Sequence, residues 1–132
     1  MTNYSAGIQA EFKEFVTSFY KASDTPPSTP DAYLDYFTPE SPLIMGLARV
    51  KGHDEITQLR QTMWEKVAKR HHVVENVAEI APHDVLINGY VEYLLKDGNL
   101  ATTEWAAHMK VTQEGSAVGG YKMEFYQVYL TK

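Results

Sequence analysis

The sequence of 132 residues contains no cysteine. This absence excludes disulfide bonds, thiolate nucleophiles and cysteine-ligated zinc together. Basic residues are also few, because 12 Lys and Arg stand against 17 Asp and Glu, and the formal net charge is −5. No basic run is longer than Lys69-Arg70. A nucleic-acid-binding surface, which needs a basic patch or stripe, is therefore disfavoured.

Long hydrophobic segments are missing as well. No apolar stretch approaches the roughly 20 residues that cross a bilayer, and the first residues, MTNYSAGIQAEF, lack the pattern of a signal peptide. We therefore expect a cytoplasmic protein that does not contact a membrane. The apolar fraction of 44% and the charged fraction of 22% are typical of a globular protein. The length predicts one domain over residues 1–132.

Two helices are predicted in the first 40 residues. In the first, apolar residues recur at offsets of three and four over residues 8–20, which indicates an amphipathic helix. Pro26-Pro27 follows and cannot continue it. The second, short helix is predicted to start at Thr29, with Pro30 in its first position and a stop before Pro39.

A third helix is predicted to begin at His53, where acidic residues favour a helix start, and to close with basic residues up to Arg70. The short apolar segment before it predicts a strand pair at roughly residues 43–47 and 48–50. The buried stripe predicted for the third helix consists of Ile56, Leu59, Met63, Trp64 and Val67.

Four long strands are predicted after this helix, over residues 70–81, 84–96, 99–111 and 121–131. Asp97-Gly98 carries a hairpin signal between the second and third strands, and residues 114–120 are predicted to form a longer, flexible connection. Three helices followed by a meander of four strands predict an α+β domain.

Alternate residues of a strand point to opposite faces, so parity predicts which side chains face the helices. Because Glu75 and Glu79 prefer water, the first strand is expected to turn its other parity inward. The predicted inward residues are His72, Val74, Asn76, Ala78 and Ile80; Val85, Ile87, Gly89, Val91, Tyr93 and Leu95; Trp105, Ala107, Met109 and Val111; Met123, Phe125, Gln127 and Tyr129. The outward face is predicted to carry an apolar patch of the kind that associates with a second copy, around Tyr90, Ala106, His108, Tyr126 and Val128.

Four segments carry a family resemblance: Gly52-His53-Asp54-Glu55-Ile56, His72 on the first long strand, Gly89 in the next, and the closing run Phe125-Tyr126-Gln127-Val128-Tyr129. With the order of elements, they resemble the nuclear-transport-factor-2-like superfamily, in particular small fungal members of its SnoaL-like branch. The resemblance implies a cone-shaped, curved antiparallel sheet wrapped around N-terminal helices. It also implies an open mouth that takes an apolar ligand, and a homodimer formed through the outer sheet face.

Two functions stay open, since one fold hosts many activities. Members of the resembled family include polyketide cyclases, steroid isomerases, dehydratases and meroterpenoid isomerases. The first possibility is therefore a cofactor-free isomerase, cyclase or dehydratase acting on an aromatic polyketide or terpenoid intermediate of fungal secondary metabolism. The alternative is a non-catalytic protein of the same fold that binds an apolar ligand or serves as a dimeric scaffold.

His72 is the candidate catalytic residue. Such reactions need a base near neutral pKa, which imidazole supplies, and a donor for the developing oxyanion. A distant similarity to scytalone dehydratase, which has a catalytic histidine on this strand, implies the same role for His72. That enzyme's second histidine has no counterpart, because Asp97 in a turn stands near its place, and the inward acid of the polyketide cyclases is also missing. The other interpretation of His72 is a hydrogen-bonded core residue.

Aromatic side chains could line a pocket for a planar ligand. The candidate ligand-binding residues are Tyr20, Tyr36, Trp64, Tyr93, Trp105, Phe125, Gln127 and Tyr129. A metal site is not expected, because the adjacent His71 and His72 face opposite ways on a strand and no acid stands at ligand spacing. No cofactor is predicted.

Overall fold

The computed structural model describes residues 1–114 and 120–131. Residues 115–119, which make up most of the predicted connection over residues 114–120, lie outside the described residues. The elements in chain order are strand β1 (Asn3–Tyr4), helix α1 (Ala10–Ser23), a 3₁₀ helix (Ala32–Tyr36), β2 (Pro42–Met45), β3 (Ala48–Lys51), helix α2 (Gly52–Trp64), β4 (Val67–Ala81), β5 (Asp84–Leu95), β6 (Leu100–Gln113) and β7 (Tyr121–Leu130).

One seven-stranded sheet runs in the order β1-β4-β5-β6-β7-β2-β3. Strands β4 to β7 form an antiparallel meander, whereas β1 pairs with β4 and β2 pairs with β7 in parallel. The sheet is curved and does not close, and it wraps around the N-terminal helices, which confirms the predicted α+β cone. Phe15 and Phe19 of α1 are fully buried at its centre. In the described part of the chain, no helix is long and apolar enough to cross a membrane.

Two helix boundaries differ from the prediction. The second helix is a 3₁₀ turn that starts after Asp31 rather than at Thr29, because the Asp31 side chain accepts a hydrogen bond from the backbone N–H of Tyr33 at 3.1 Å and so caps it. The third helix ends at Trp64 and not near Arg70. Val67 already pairs with Leu95 of β5. Residues 67–70, which their spacing had predicted to be helical, therefore belong to strand β4.

A β-bulge at Glu75 changes the inward set of β4. Val74 pairs with Gly89 and Asn76 with Asn88, so Glu75 is an extra residue with no partner on β5. His72 and Val74 lie on the inner side as predicted, but the next inward residue is Val77, which is 1% exposed. The prediction that the inward set continues is therefore wrong for Asn76, Ala78 and Ile80.

Gly89 is the residue of β5 that permits this bulge. An ideal Cβ at position 89 would lie 1.9 Å from the carbonyl oxygen of Val73. Only a residue without a side chain allows the two backbones to approach this closely. The predicted inward sets of β5 and β6 otherwise hold: buried Val85, Ile87 and Val91 alternate with exposed Leu86, Asn88 and Glu92 on β5, and Trp105, Ala107, Met109 and Val111 are buried on β6.

A second bulge reverses the parity of β7. Lys110 of β6 pairs with Phe125, but the adjacent Val111 pairs with Met123. Glu124 is therefore the extra residue, and every side chain after it points to the face opposite to the one that strict alternation predicts.

This reversal corrects the predicted faces of the closing run. Tyr126 and Val128, predicted to be outward, are buried in the core. Phe125, Gln127 and Tyr129, predicted to be inward, lie on the outer face, and Tyr129 is 52% exposed. These three residues lie away from the interior of the cone.

Candidate functional site

An aspartate–histidine pair joins the end of helix α1 to strand β4. Asp24, the residue that caps the C-terminus of α1, accepts a hydrogen bond from the backbone N–H of His72 at 2.9 Å. Its other oxygen lies 2.6 Å from Nδ1 of the His72 ring. The two side chains are only 15% and 18% exposed. Both carboxylate oxygens of Asp24 are thus engaged by one residue.

This geometry sets the tautomer of His72. Because Asp24 accepts at Nδ1, the neutral ring carries its proton there and keeps a lone pair at Nε2. Within the described residues Nε2 has no hydrogen-bond partner. A histidine held in this way is oriented to take up a proton at Nε2, while the carboxylate stabilises the imidazolium that forms.

Aromatic rings surround His72 on the inner side. The ring centroids of Tyr20 and Trp105 lie 5.2 Å and 5.5 Å from that of the imidazole. The hydroxyls of Tyr20 and Tyr126 are hydrogen bonded to each other at 2.8 Å. Nε1 of Trp105 is buried and has no hydrogen-bond partner in the described part of the chain. The site therefore combines a largely buried, aromatic environment with a donor that a ligand oxygen could engage.

A cavity of about 50 Å³ lies next to this pair, inside the cone. Met45, Met63 and Leu130 contribute flexible apolar side chains to its lining. Its polar lining consists of Ser23, Tyr33, Arg70, His72, Tyr93 and Tyr126. On the other side, the His72 ring borders a shallow surface groove of about 290 Å³ near the chain start. His72 thus lies between the interior of the cone and its surface.

The loop that carries Asp24 is tied down by a buried ion pair. Arg60 of α2 donates to both carboxylate oxygens of Asp31, at 2.8 Å and 3.2 Å, and both side chains are less than a tenth exposed. The same guanidinium donates to the backbone oxygen of Thr25 at 2.8 Å. Its contact with the residue after Asp24 makes Arg60 a positioning residue for the aspartate.

No family model and no curated protein matches the sequence. Solved structures do match. A provisionally assigned aromatic ring hydroxylase from Novosphingobium aromaticivorans is 22% identical, with a TM-score of 0.75 over 92% of this chain and 87% of that one. Nuclear transport factor 2 from Cryptosporidium parvum is 17% identical, with a TM-score of 0.71 over 99% and 100%. A provisionally assigned SnoaL-like polyketide cyclase from Jannaschia sp. CCS1 is 13% identical, with a TM-score of 0.69 over 96% and 90%.

The chain has the nuclear-transport-factor-2-like fold. The similarity spans nearly all of the chain and includes SnoaL-like structures, so the fold expected from the sequence is confirmed. At these identities the likeness establishes the fold alone, and the chemistry must be argued from the residues of this chain.

Within this nuclear-transport-factor-2-like cone, the predicted site residues separate into three groups. His72, Tyr93 and Trp105 line the inner cavity, and Tyr20 packs against His72. Two others, Tyr36 beside Phe15 and Trp64 beside Arg70, are buried in the surrounding core. The third group lies on the outer face and consists of Phe125, Gln127 and Tyr129.

Sequence reasoning missed Asp24, Arg70 and Tyr126. Asp24 follows Tyr20 by four residues, which places both on one face of α1. Arg70 shares the parity of His72 on β4, so an inward His72 implied an inward Arg70. Both signals were present in the sequence. Tyr126 carried no such signal, because its orientation depends on the bulge in β7.

A second histidine–aspartate pair lies on the outer face of the sheet. Nε2 of His108 lies 2.5 Å from a carboxylate oxygen of Asp84, and the His108 ring packs against Phe125. This outer pair is remote from the cavity inside the cone. Among the described residues, no three His, Asp or Glu side chains converge as metal ligands would.

We expect the free energy of unfolding to fall as the pH rises above 10. Burial raises the pKa of Tyr20, Tyr33 and Tyr126 well above the ordinary value. These tyrosines stay protonated in the folded state and ionise first in the unfolded state, which favours unfolding by about 1.4 kcal/mol per pH unit for each of them. Urea denaturation between pH 8 and 11 measures the decline.

The control for this prediction is Tyr129, which is half exposed. Tyr126→Phe should make the alkaline decline visibly shallower, whereas Tyr129→Phe should leave it unchanged. A urea midpoint that stays constant up to pH 11 would contradict the prediction.

Proposed function

We propose that the protein is a cofactor-independent acid–base catalyst that isomerises, cyclises or dehydrates a small aromatic polyketide or terpenoid intermediate. His72 is the catalytic base and acid, and Asp24 is the group that positions it. The observation that carries the proposal is the 2.6 Å contact between Nδ1 of His72 and Asp24 beside an internal cavity. A histidine paired in this way is the arrangement that general base catalysis needs.

The proposed reaction begins with proton abstraction next to a carbonyl group. Nε2 of His72 accepts the proton from carbon, and the electron pair of the C–H bond moves onto the carbonyl oxygen to form an enolate. Asp24 stabilises the imidazolium, and buried donors such as Nε1 of Trp105 or the Tyr126 hydroxyl stabilise the oxyanion. The imidazolium then returns its proton, either to another carbon or to a departing hydroxyl, which leaves as water.

The likeness to a solved structure named as a SnoaL-like polyketide cyclase supports this reaction class. The aromatic rings of Tyr20 and Trp105 support an aromatic or polycyclic ligand, since such rings pack well by offset and edge contacts. They also cover the inner side of the imidazole, and the low exposure of His72 and Asp24 strengthens the interaction between them.

A second candidate function is a non-catalytic, dimeric scaffold. Two observations favour it: the cavity is only about 50 Å³, and the outer sheet face exposes large apolar side chains. Leu86 is 46% and Tyr129 52% exposed on that face, and exposed apolar patches mark association surfaces. In this alternative, two copies associate through the outer face and His72 is only a hydrogen-bonded core residue.

The two functions differ in proton abstraction from simple ketones. We would incubate the protein with phenylacetone or 2-tetralone in deuterated water and follow exchange of the protons next to the carbonyl group by NMR. Replacing His72 with glutamine should slow protein-dependent exchange about 100-fold or more, since general base catalysis contributes roughly 10²–10⁴-fold. His108→Gln, which breaks the outer pair, is the matched control and should have no effect.

The variant Asp24→Asn tests whether the contact between Asp24 and His72 serves catalysis or only the fold. Loss of the carboxylate removes the group that orients the imidazole and stabilises the imidazolium, so the exchange rate should fall at least about tenfold. If the protein and its His72→Gln variant exchange both ketones equally fast, the catalytic proposal is wrong and the scaffold function stands.

A further inference from the structure

Arg70 is a second buried group at the cavity, and the acid–base mechanism does not use it. Its side chain lines the same cavity as His72, two residues along β4, and the residue is only 9% exposed. Charged side chains are almost never this buried unless they are paired. The cost of burial is visible in its pKa, which desolvation lowers and Tyr93 only partly restores. The guanidinium nevertheless stays charged, because its ordinary pKa is so high.

The two buried arginines of the chain differ in their partners. Arg60 is paired through two hydrogen bonds with the carboxylate of Asp31. Arg70 has no carboxylate within 4 Å anywhere in residues 1–114 and 120–131. Asp24, whose carboxylate is bonded to the backbone and ring of His72, makes no contact with Arg70 and only weakly favours its charged form from a distance. The interior of the cone therefore carries a positive charge with no carboxylate in direct contact among the described residues.

The surroundings of Arg70 hold the guanidinium in place. It lies over the ring of Trp64 at 4.7 Å and over that of Tyr93 at 5.2 Å, and Nη2 donates to the backbone oxygen of Met63 at 2.9 Å. Aromatic contacts occupy the faces of the planar group. A guanidinium has five N–H donors in a fork that matches a carboxylate, and Met63 and Tyr93 occupy only part of them.

The size of the cavity limits the group that Arg70 can receive. The cavity, of about 50 Å³, is narrow, so the group that fits beside the guanidinium is small, as a planar carboxylate is. The rest of a ligand must extend past Met45, Met63 and Leu130. Methionine side chains adapt readily to ligands of different shape.

We infer that Arg70 anchors a carboxylate of the ligand, so that the cavity takes an aromatic or terpenoid carboxylic acid with the anion at Arg70. Only the description of this ligand as a substrate of His72 rests on the proposed function. Arg70 contributes binding and orientation, because a fixed carboxylate places the neighbouring carbon atoms against the imidazole two residues away on the same strand face.

The test compares benzoate with benzamide, which has the same shape and no charge. The sequence has two tryptophans, and both are near Arg70: Trp64 packs against its guanidinium and Trp105 lines the cavity. Their fluorescence therefore reports binding, and calorimetry confirms the affinity. Benzoate should bind at least about tenfold more tightly than benzamide, as expected for hydrogen bonds to a charged group. Phenyl phosphate should bind more weakly than benzoate, because a tetrahedral phosphate group is bulkier than a planar carboxylate in this narrow cavity.

Two variants assign the preference to Arg70. Arg70→Gln should weaken benzoate binding about 10- to 100-fold and leave benzamide unaffected. Lys69→Gln removes the same charge from an exposed position on the same strand and should leave both affinities unchanged. Arg70→Lys keeps the charge without the planar fork and should give an intermediate affinity for benzoate. If Arg70→Gln does not fold, the inference is still tested by the comparison of benzoate with benzamide in the wild-type protein and by the Arg70→Lys variant.

Equal affinity for benzoate and benzamide, or an equal loss of benzoate binding in Lys69→Gln, would overturn the inference. So would tighter binding of phenyl phosphate, which would identify a different anion. Repeating the titration with His72→Gln separates this inference from the catalytic proposal. Benzoate selectivity without ketone exchange would refute only the catalysis, whereas exchange without benzoate selectivity would refute only the anion subsite.

Discussion

Replacing Gly89 with alanine is expected to lower the free energy of unfolding by more than about 3 kcal/mol, a large share of the 5–15 kcal/mol typical of a domain. A Cβ at this position would lie 1.9 Å from the carbonyl oxygen of Val73 and 3.2 Å from the backbone nitrogen of Glu75. Backbone atoms cannot rotate away as a flexible side chain can. The substitution must therefore push β4 and β5 apart.

The consequence reaches the candidate site, because this contact lies one residue from His72. The close approach accompanies the bulge at Glu75, which lets His72, Val74 and Val77 all lie on the inner side of β4. We expect Gly89→Ala to disturb the His72 ring resonances even in molecules that remain folded.

Urea denaturation followed by circular dichroism measures the stability change for Gly89→Ala. The matched control is Asn88→Ala, its exposed neighbour on the same strand, which should change stability by less than about 1 kcal/mol. If the two variants are equally stable, the backbone of β4 can shift without cost and the bulge does not depend on glycine.

Replacing Arg60 with methionine is expected to cost about 3–5 kcal/mol, the usual result of removing one partner from a buried ion pair. Asp31 would keep its hydrogen bond from the Tyr33 backbone but lose both bonds from the guanidinium. The contact of Arg60 with the Tyr33 ring, at 4.3 Å, would be lost as well. Methionine retains most of the side-chain volume and leaves little empty space. The loss of stability therefore measures the removed charge and hydrogen bonds rather than the cost of a cavity.

The control for this variant is Arg49→Met, the same substitution at an exposed position of the edge strand β3. It should leave the thermal midpoint nearly unchanged. Arg60→Met should also release the backbone on either side of Asp24, seen as faster amide exchange at Thr25. A stability loss below about 1 kcal/mol would show that the Asp31 carboxylate finds other partners or becomes hydrated.

Local patterns were sufficient for most of the secondary structure. Helix α1 was predicted from spacings of three and four residues, and the inward sets of β5 and β6 from strict alternation. These signals are local because each residue's face depends only on the geometry of its own element. The predictions failed at Glu75 and Glu124, where one strand inserts a residue relative to its partner. A bulge depends on how two strands pair, so it cannot be predicted from the sequence of either strand alone.

The candidate site was predicted in part, and the reason is again the range of the interactions. His72 was identified from its residue type and parity. Its partner Asp24 lies 48 residues away along the chain, and a terminal helix residue of this kind is normally solvated. Arg70 was interpreted as a basic helix terminus, a local role that β4 overrides by pairing Arg70 with Tyr93 of β5.

Helix periodicity and the strand patterns were enough to predict an α+β domain, and the family resemblance added the cone. Strand parity together with that resemblance selected one histidine, His72. Tertiary structure alone decided which of the other side chains meet that histidine. The bulge in β7 placed Tyr126 inside and Phe125, Gln127 and Tyr129 outside. The fold brought Asp24 to the ring of His72 and Arg70 to the cavity that His72 lines. The physical reason is that secondary structure follows from neighbours in sequence, whereas a site is made by residues that meet only after the sheet curves around the helix.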